Sequence, residues 1–376
     1  MLLLSGPNMA GNELKYVTEC ITTGWVSSVG AYVDQFEKMS AEFAGTKYAV
    51  ATSSGTTALH ICLVMMGVNS DDYVITPNIT FIATCNSIKY TGADPIFIDT
   101  DVNSWQMDLD LLEEFLTNET EQRNGVCHYK KNGRRIPVIM PVHVLGNICD
   151  MDRLLALAKK HNLTVIEDST EALGSYYKGK HAGSFGLMGT FSYNGNKIIT
   201  TGGGGMIVTD DEALAKKAKH LTTQAKSDPF EYIHDEIGYN YRLVNVAAAM
   251  GVAQMEQLPG FIKRKYEIID FYKKELSGIG DIKFQQVSDD VKPNWWLPTI
   301  MTEKQRDVLK ILNDNKMQSR PFWVPMNQLR MFKDDIYFNH TDRSNFVYQH
   351  CLSIPCSTYI TDEQLKSVTD KIKECY

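Results

Sequence analysis

Short apolar runs alternate with amphipathic segments along the first two thirds of the chain. Each run holds four to six residues, and the segment after it repeats its apolar positions at helical spacing. The predicted strands are Tyr48–Thr52, Tyr73–Thr76, Pro95–Asp99, Pro137–Val142, Leu163–Glu167 and Met206–Thr209. The predicted helices are 12–22, Ala31–Ala44, Thr56–Met66, Thr80–Tyr90, Asp108–Leu116, Asp150–His161 and Asp211–Leu221. This alternation predicts an α/β fold with a mostly parallel sheet covered by helices.

The pattern changes in two places. Thr117–Arg135 is polar, and we expect an irregular surface insertion there. An alanine-rich helix is predicted at Asn245–Gln257, and a separate helix at Phe261–Leu276 is followed by short strands and a helix near the C-terminus. We therefore predict a large α/β domain at 1–240, including the N-terminal helices, and a smaller α+β domain at 241–376.

Composition narrows the possible functions. The chain has 376 residues, 43% hydrophobic and 22% charged, with a net charge of −7. Without a long basic run, we expect no nucleic-acid or anionic-membrane partner. The eight cysteines form no CxxC pair and the histidines show no ligand spacing, so we expect no metal site and reduced thiols. No apolar run approaches the ~20 residues of a membrane span, which favours a cytoplasmic protein.

The candidate chemistry centres on Lys197, in the uncharged run Gly189–Met206. A lysine among apolar and small groups loses solvation of its ammonium form, which lowers its pKa and frees a nucleophilic amine. Such an amine can bind an aldehyde cofactor such as pyridoxal phosphate (PLP). An isolated lysine is usually a solvated surface group, so this interpretation depends on its neighbours.

Further candidates follow predicted strands, where ligands bind in open α/β sheets. Ser54, Gly55 and Thr56 open a helix and suit a phosphate, although the same residues make a good helix cap without a ligand. Asp168 is placed to hold a protonated pyridine nitrogen or, equally, to cap a turn.

Two ring side chains are further candidates. Phe81 is placed to stack on a flat cofactor ring, with a core position as the alternative. His143 follows a predicted strand and is a candidate for the pocket wall. The glycines 202–205 lack GxGxxG spacing and precede a strand, which excludes a dinucleotide-binding fingerprint.

Together these motifs resemble the DegT/DnrJ/EryC1/StrS family of sugar aminotransferases, PLP enzymes of the aspartate-aminotransferase fold (fold type I). The resemblance covers nearly the whole chain. The matching stretches are SSGTTALH (53–60), PNITFIATCNSI (77–88), PIFIDTD (95–101), VIEDSTEALGSYYKGKHAGSFG (165–186), FSYNGNKIITTGGGGMIVTDD (191–211), IGYNYRLVN (237–245) and SRPFW (319–323). The forms TGWVSSVG, NGNK and GYNYR are most similar to the subgroup that makes bacillosamine and legionaminic acid precursors.

The resemblance implies roles for individual residues. Lys197 resembles the Schiff-base lysine, Asp168 the partner of the pyridine nitrogen, and Phe81 the stacking aromatic. The residues implied for cofactor binding are Ser54, Gly55, Thr56, Phe81, Asp168, Glu171, Ser192, Lys197 and Asn240. Those implied or proposed for substrate binding are Trp25, His143, Arg242, Arg320 and Trp323. In the family, the asparagine matched by Asn240 reaches the cofactor of a neighbouring subunit, which implies a homodimer with shared sites.

The implied reaction is amino transfer from L-glutamate to C4 of a nucleotide-linked 4-keto-6-deoxy sugar, with UDP-2-acetamido-2,6-dideoxy-4-ketohexose as first expectation. A GDP-linked sugar is second and a 3-keto sugar third. Family dehydratases carry histidine in place of Lys197, which argues against that activity. A non-catalytic PLP-binding regulator is the remaining alternative. Many members have a glutamate where this chain has Gly203, so any role of that carboxylate is absent.

Overall fold

The computed structural model describes residues 1–228 and 230–376 of the chain. Helices are numbered α1–α11 and strands β1–β19 within this part. The helices are α1 (Glu13–Thr23), α2 (Ala31–Ala44), α3 (Gly55–Met65), α4 (Ala83–Tyr90), α5 (Leu109–Asn118), α6 (Met151–Lys160), α7 (Glu212–Thr222), α8 (Asn245–Leu276), α9 (Gln305–Asp314), α10 (Arg343–His350) and α11 (Asp362–Lys373). Of the described helices, none is both long and apolar enough to cross a bilayer.

The strands vary from two to six residues. They are β1 (Tyr48–Thr52), β2 (Asp72–Pro77), β3 (Asp94–Ile98), β4 (Thr120–Arg123), β5 (Val126–Tyr129), β6 (Arg135–Ile139), β7 (Thr164–Asp168), β8 (Tyr176–Tyr177), β9 (Lys180–His181), β10 (Met188–Ser192), β11 (Gly205–Thr209), β12 (Lys226–Asp228), β13 (Ile233–His234), β14 (Lys283–Phe284), β15 (Val291–Lys292), β16 (Thr299–Met301), β17 (Arg320–Pro321), β18 (Ile336–Phe338) and β19 (Cys351–Ser353).

The central sheet has the order β1-β11-β10-β7-β6-β2-β3-β18. Its neighbouring strands are parallel from β10 to β18, and β11 alone runs antiparallel to both neighbours on this path. Apolar residues of α3 and α7 pack on one face and those of α5 and α6 on the other. The predicted α/β class with a mostly parallel sheet is confirmed.

Three helices that follow strands of the central region begin at residues with a side-chain cap. Asp108, Asp150 and Asp211 each accept backbone N–H bonds at the start of α5, α6 and α7. A carboxylate there satisfies free N–H groups and favours the positive end of the helix dipole. These caps fix where each strand–helix turn lies, and therefore which residues stand at the sheet edge.

The C-terminal third contributes strands to three of the described sheets, one of them through β15, which pairs antiparallel with β8. Strands β14, β16, β19 and β17 form an antiparallel sheet in that order, with α9 and α11 packed together nearby. However, β18 pairs in parallel with β3 of the central sheet. The predicted boundary at residue 240 stays a prediction, and one strand beyond it belongs to the large sheet.

Two sequence predictions were wrong. The segment Thr117–Arg135 is not irregular, because β4 and β5 form a hairpin that continues onto β6. The break predicted between Gln257 and Phe261 is absent, since α8 continues through Pro259. That proline lies on the exposed side of the helix, where water can satisfy the backbone carbonyl that loses its donor.

Candidate active site

The carboxyl ends of β1, β2, β7 and β10 surround one cavity of about 390 Å³. This volume lies within the ~300–1,000 Å³ usual for small-molecule sites. The predicted residues that line it are Ser54, Gly55, Thr56, Phe81, Ser192, Lys197, Arg320 and Trp323. Folding thus brings together residues as far apart in the sequence as Ser54 and Trp323.

The start of α3 forms one end of the cavity. Ser54 caps the helix: its hydroxyl accepts a bond from the Thr57 N–H, and its own N–H donates to the Thr57 hydroxyl, both at 3.1 Å. A Cβ placed on Gly55 would lie 2.9 Å from Thr170 Cγ2 and 3.0 Å from Ser192 Cβ. Because only glycine allows this approach, the hydroxyls and the helix N-terminus converge on one small space. This arrangement fits a phosphate group.

Asp168 lies at the end of β7 with its carboxylate fixed on both oxygens. Its Oδ2 accepts a bond from the Thr84 hydroxyl at 2.6 Å, and Oδ1 accepts from the Thr170 hydroxyl at 2.7 Å and the Thr170 N–H at 3.2 Å. The residue is buried. A buried carboxylate held in one orientation fits a protonated ring nitrogen of a cofactor.

Lys197 follows the Asn194–Asn196 turn after β10 and is half-buried in the cavity wall. Burial lowers the pKa of its amine, while the nearby carboxylates of Glu171 and Asp168 act in the opposite direction. The direction predicted from its uncharged surroundings is therefore confirmed. Its Nζ lies 3.8 Å from the ring centroid of Trp296.

Glu171 is buried beneath the same cavity. Its Oε2 accepts a bond from the Leu145 N–H at 2.7 Å. Burial raises the pKa of this carboxyl, and the charge of Lys197 opposes that shift. Because its pKa is raised, Glu171 holds a proton more readily than a surface glutamate does.

His143 does not line the cavity, so its predicted place in the pocket wall is wrong. The side chain is fully buried, and its Nε2 lies 2.8 Å from Oε2 of Glu167. Three backbone N–H groups, from Gly183, Phe185 and Gly186, also bind Glu167. The histidine is part of a buried polar network behind the strand ends.

Three other predicted residues lie outside the cavity of their own chain. Trp25 is 58% exposed. Asn240 is exposed on the surface, and its Oδ1 accepts a bond from Arg242 Nη2 at 3.2 Å. Their predicted roles in cofactor or substrate binding therefore stay predictions.

The sequence did not single out Thr84, Thr170, Trp296 or Asn294. Asn294 Nδ2 donates to the carbonyls of Glu171 and Leu173 at 2.8 and 2.9 Å. Thr170 lies two residues after Asp168, so an Asp-x-Thr turn would have signalled its contact. The adjacent pair Trp295-Trp296 was a weaker signal, because nothing in the sequence relates it to Lys197.

One group of potential metal ligands is invisible in the sequence. The ligand atoms of His220, Asp235 and Glu236 lie within 4.8 Å of one another. The Lys217 ammonium already pairs with Glu236, and the two carboxylates are exposed. A lysine that supplies positive charge leaves no argument for a metal ion here.

The fold and the site together define the class of this protein. A lysine and a fixed carboxylate stand at the carboxyl ends of a mostly parallel sheet, beside a glycine-lined helix start. This is a fold type I enzyme whose cofactor is pyridoxal phosphate. Residues 7–373 match the model of the DegT/DnrJ/EryC1/StrS aminotransferase family, and the chain belongs to that family.

Individual relatives agree with this assignment. GDP-perosamine synthase of Escherichia coli O157:H7 is 39% identical over 98% of this chain and 97% of its own length. EpsN of Bacillus subtilis, whose name assigns it to the pyridoxal phosphate-dependent aminotransferases, is 34% identical over 96% and 92%. The crystal structure of DesV from S. venezuelae superposes with a TM-score of 0.87 at 25% identity, covering 97% and 94%. This protein is a sugar aminotransferase.

Proposed function

We propose that this enzyme transfers an amino group from L-glutamate to C4 of a nucleotide-linked 4-keto-6-deoxy sugar. The single observation that carries the proposal is the continuity of the cavity. Lys197 and the start of α3 line one part, and Arg320 and Trp323 line another. One cavity thus offers a reactive amine, a phosphate site and a cationic, aromatic surface for a nucleotide sugar.

Each residue of the cofactor site has a proposed task. Bound pyridoxal phosphate supplies a carbonyl that takes up amino groups and a ring that accepts electrons. Ser54, Thr56 and Ser192 hold its phosphate at the start of α3. Asp168 keeps the ring nitrogen protonated, and Phe81 covers one face of the ring.

Lys197 has two proposed tasks at one atom. Its Nζ holds the cofactor when no substrate is present and, once free, moves a proton between substrate carbon and cofactor carbon. The lowered pKa of the amine supports both tasks, because each requires the neutral amine to be accessible near neutral pH. Glu171, whose pKa is raised, is proposed to bind near the cofactor hydroxyl.

The nucleotide is the least constrained part of the substrate. The motifs alone put a UDP-linked sugar first, whereas the similarity to a GDP-perosamine synthase supports a GDP-linked 4-keto sugar. We therefore propose the GDP-linked sugar as first candidate and the UDP-linked acetamido sugar as second. Arg320 is exposed at the cavity and is proposed to bind the diphosphate.

A homodimer with shared sites completes the proposal. Trp25, Asn240 and Arg242 do not line the cavity of their own chain. Exposed apolar side chains lie shortly before Asn240 in the sequence, among them Phe230 at 87% and Ile237 at 84% exposure. Burial of such a patch against a second copy would place these residues near the partner's site.

The test joins cofactor mapping to a substrate panel. Borohydride reduction of the purified protein, followed by peptide mass spectrometry, is expected to fix PLP on Lys197. The GDP-linked 4-keto sugar, the UDP-linked 4-keto sugar and a 3-keto sugar are then compared with glutamate. Amination of the first supports the proposal. Amination of the 3-keto sugar alone would overturn it, and an adduct on a different lysine would remove the role of Lys197.

Lys197→Ala is the matched variant. We expect loss of turnover with an unchanged circular-dichroism spectrum, because the substitution removes a reactive group and no packing anchor. If the wild-type protein binds PLP but aminates none of the three sugars, the result would favour the alternative that it is a non-catalytic PLP-binding regulator.

A further inference from the structure

The indole of Trp296 lies against the reactive amine. The Lys197 Nζ is 3.8 Å from the ring centroid, which is well within the distance at which an ammonium binds an aromatic face. Trp296 is only 3% exposed, and both residues line the cavity. The charges of Glu171 and Asp168 reach Lys197 through space. The aromatic face of Trp296 is therefore one surface that this amine touches.

Trp296 is held in place at three points. Its indole Nε1 donates to the carbonyl of Asn196, next to Lys197, at 2.7 Å. Its backbone N–H donates to Asn294 Oδ1 at 2.9 Å. Because the indole edge is bound to Asn196, the ring cannot turn away from Lys197 without losing that hydrogen bond.

The third point is a buried lysine. Lys265 in α8 is 1% exposed, and its Nζ donates to the carbonyls of Trp296 at 2.8 Å and Cys356 at 2.7 Å. Cys356 in turn donates its backbone N–H to Leu4, another residue of the cavity wall. A buried cation satisfied by carbonyls fixes three separate chain segments around one side of the site.

We propose that Trp296 is a positioning residue whose ring binds the ammonium form of Lys197 whenever this amine is free of the cofactor. The proposal rests on the role proposed above for Lys197. During a reaction cycle the free amine must take up a proton and later return it, and it must stay close to the reacting carbon. The quadrupole of the indole stabilises the charged amine at one place, offsetting part of the cost of its burial.

The proposal is tested on the full chain loaded with pyridoxamine phosphate, in which Lys197 is free. Trace acetylation with acetic anhydride is followed by peptide mass spectrometry across a pH series, with exposed Lys333 as internal standard. Trp296→Met removes the aromatic face and keeps an apolar side chain. The midpoint for Lys197 is expected to fall by about one pH unit, because a cation–π contact is worth roughly 0.5–2 kcal/mol and one unit is 1.36 kcal/mol.

Two variants separate this role from simple packing. Trp296→Phe keeps a ring face and should restore most of the wild-type midpoint. Trp295→Leu is the matched control, because Trp295 is also buried, at 7% exposure, and its ring lies under the Lys273 ammonium at 4.4 Å. Its loss should leave the Lys197 midpoint unchanged. If Trp296→Met fails to fold, Trp296→Leu takes its place.

An unchanged or raised midpoint in the Trp296→Met protein would overturn the proposal, as would an equal fall in Trp295→Leu. These outcomes are independent of the proposed reaction. If borohydride fixes PLP to another lysine, the role of Lys197 fails while the acetylation midpoints still report whether the ring binds its ammonium.

Discussion

At the scale of single residues, the orientation of Asp168 is set by two threonines that carry no charge. The Thr84 hydroxyl lies 2.6 Å from Oδ2, and Thr170 occupies Oδ1. A carboxylate with a donor on each oxygen is held in one orientation and presents a fixed direction to a further partner. Hydroxyl groups on α4 and after β7 therefore determine how well the proposed ion pair with the cofactor forms.

Thr84→Val tests this arrangement, since it keeps the shape of the side chain and removes the donor. We expect about 1–3 kcal/mol weaker cofactor binding, the cost of a buried acceptor left without its partner. The dissociation constant for PLP, measured by fluorescence titration, should rise roughly five- to 150-fold. Thr100→Val, at a buried threonine outside the cavity, is the control. Equal effects of both substitutions on PLP binding would contradict the proposed role of the Thr84 hydroxyl in orienting Asp168.

His181 makes stability depend on pH. Burial lowers the pKa of this histidine to about 4, and its Nε2 accepts a bond from the Gly174 N–H at 2.7 Å. In the unfolded chain the pKa is near 6.5, so the unfolded state binds more protons between these values. The contribution of the neutral His181 to the free energy of unfolding is complete above pH 6.5 and is lost as the pH falls towards 4. Its full size is about 3 kcal/mol.

His181→Gln keeps an acceptor for Gly174 and does not titrate. The free energy of unfolding of the wild type, from urea denaturation, should fall more steeply between pH 6.5 and 4.5 than that of the variant. Parallel curves for wild type and His181→Gln would contradict the prediction.

The sequence was informative about residues whose chemistry is local. Lys197 stood out because its neighbours are uncharged, and Asp168 because it ends a strand. Trp296 did not stand out, since its contact with Lys197 joins positions 99 apart and only folding brings them together. His143 follows a strand, as residues of a pocket wall often do, but its side chain contacts the buried Glu167 instead. Which way a side chain points is decided by its buried partners.

At the scale of elements, the predicted strands and helices of the first 222 residues largely match the structure, because their apolar periodicity agrees with their capping residues. The hairpin β4–β5 was missed although Asn124-Gly125 carries its signal. Both residues have positive φ, 52° and 77°, as a two-residue turn of type I′ requires. The surrounding charges concealed the signal, since β4 is largely exposed.

A pair of glycine substitutions tests this reading of the turn. Gly125→Ala forces a Cβ into the left-handed region and should destabilise the protein by about 1 kcal/mol. Gly260→Ala is the matched change in α8, where a Cβ meets nothing within 4 Å and φ is not positive. It should stabilise by about 0.5–1 kcal/mol. Urea-unfolding midpoints that move in the same direction would contradict the assignment.

At the scale of the whole molecule, the order of strands was beyond the sequence. Strand β18 joins β3 across 240 residues, and nothing in its three residues distinguishes it from the short strands of the smaller sheet. Periodicity predicts which face of an element is buried but not which neighbour covers it. The resemblance to the family predicted the architecture, because the order of the motifs along the chain is specific. A single motif is not specific, since similar residues occur in many turns.

The proposed sharing of sites between two copies can be tested by mixing two defective variants. Lys197→Ala removes the reactive amine of its own site, and Asn240→Asp places a negative charge where the partner's phosphate is proposed to bind. Each homodimer should have little activity. In a mixed dimer one site combines both defects, and the other has Lys197 from one subunit with Asn240 from its partner.

Subunits unfolded together and refolded at equal concentration should therefore recover about a quarter of wild-type activity, since half of the dimers are mixed and each has one intact site. In the control, Asn118→Asp takes the place of Asn240→Asp. Asn118 lies at the end of α5 and outside the cavity, so the Asn118→Asp homodimer should be active before mixing. If Asn240 acted within its own chain, the mixed dimers would hold one site without the amine and one with the repelling carboxylate. Activity would then stay at the sum of the two variants, and the shared site would be excluded.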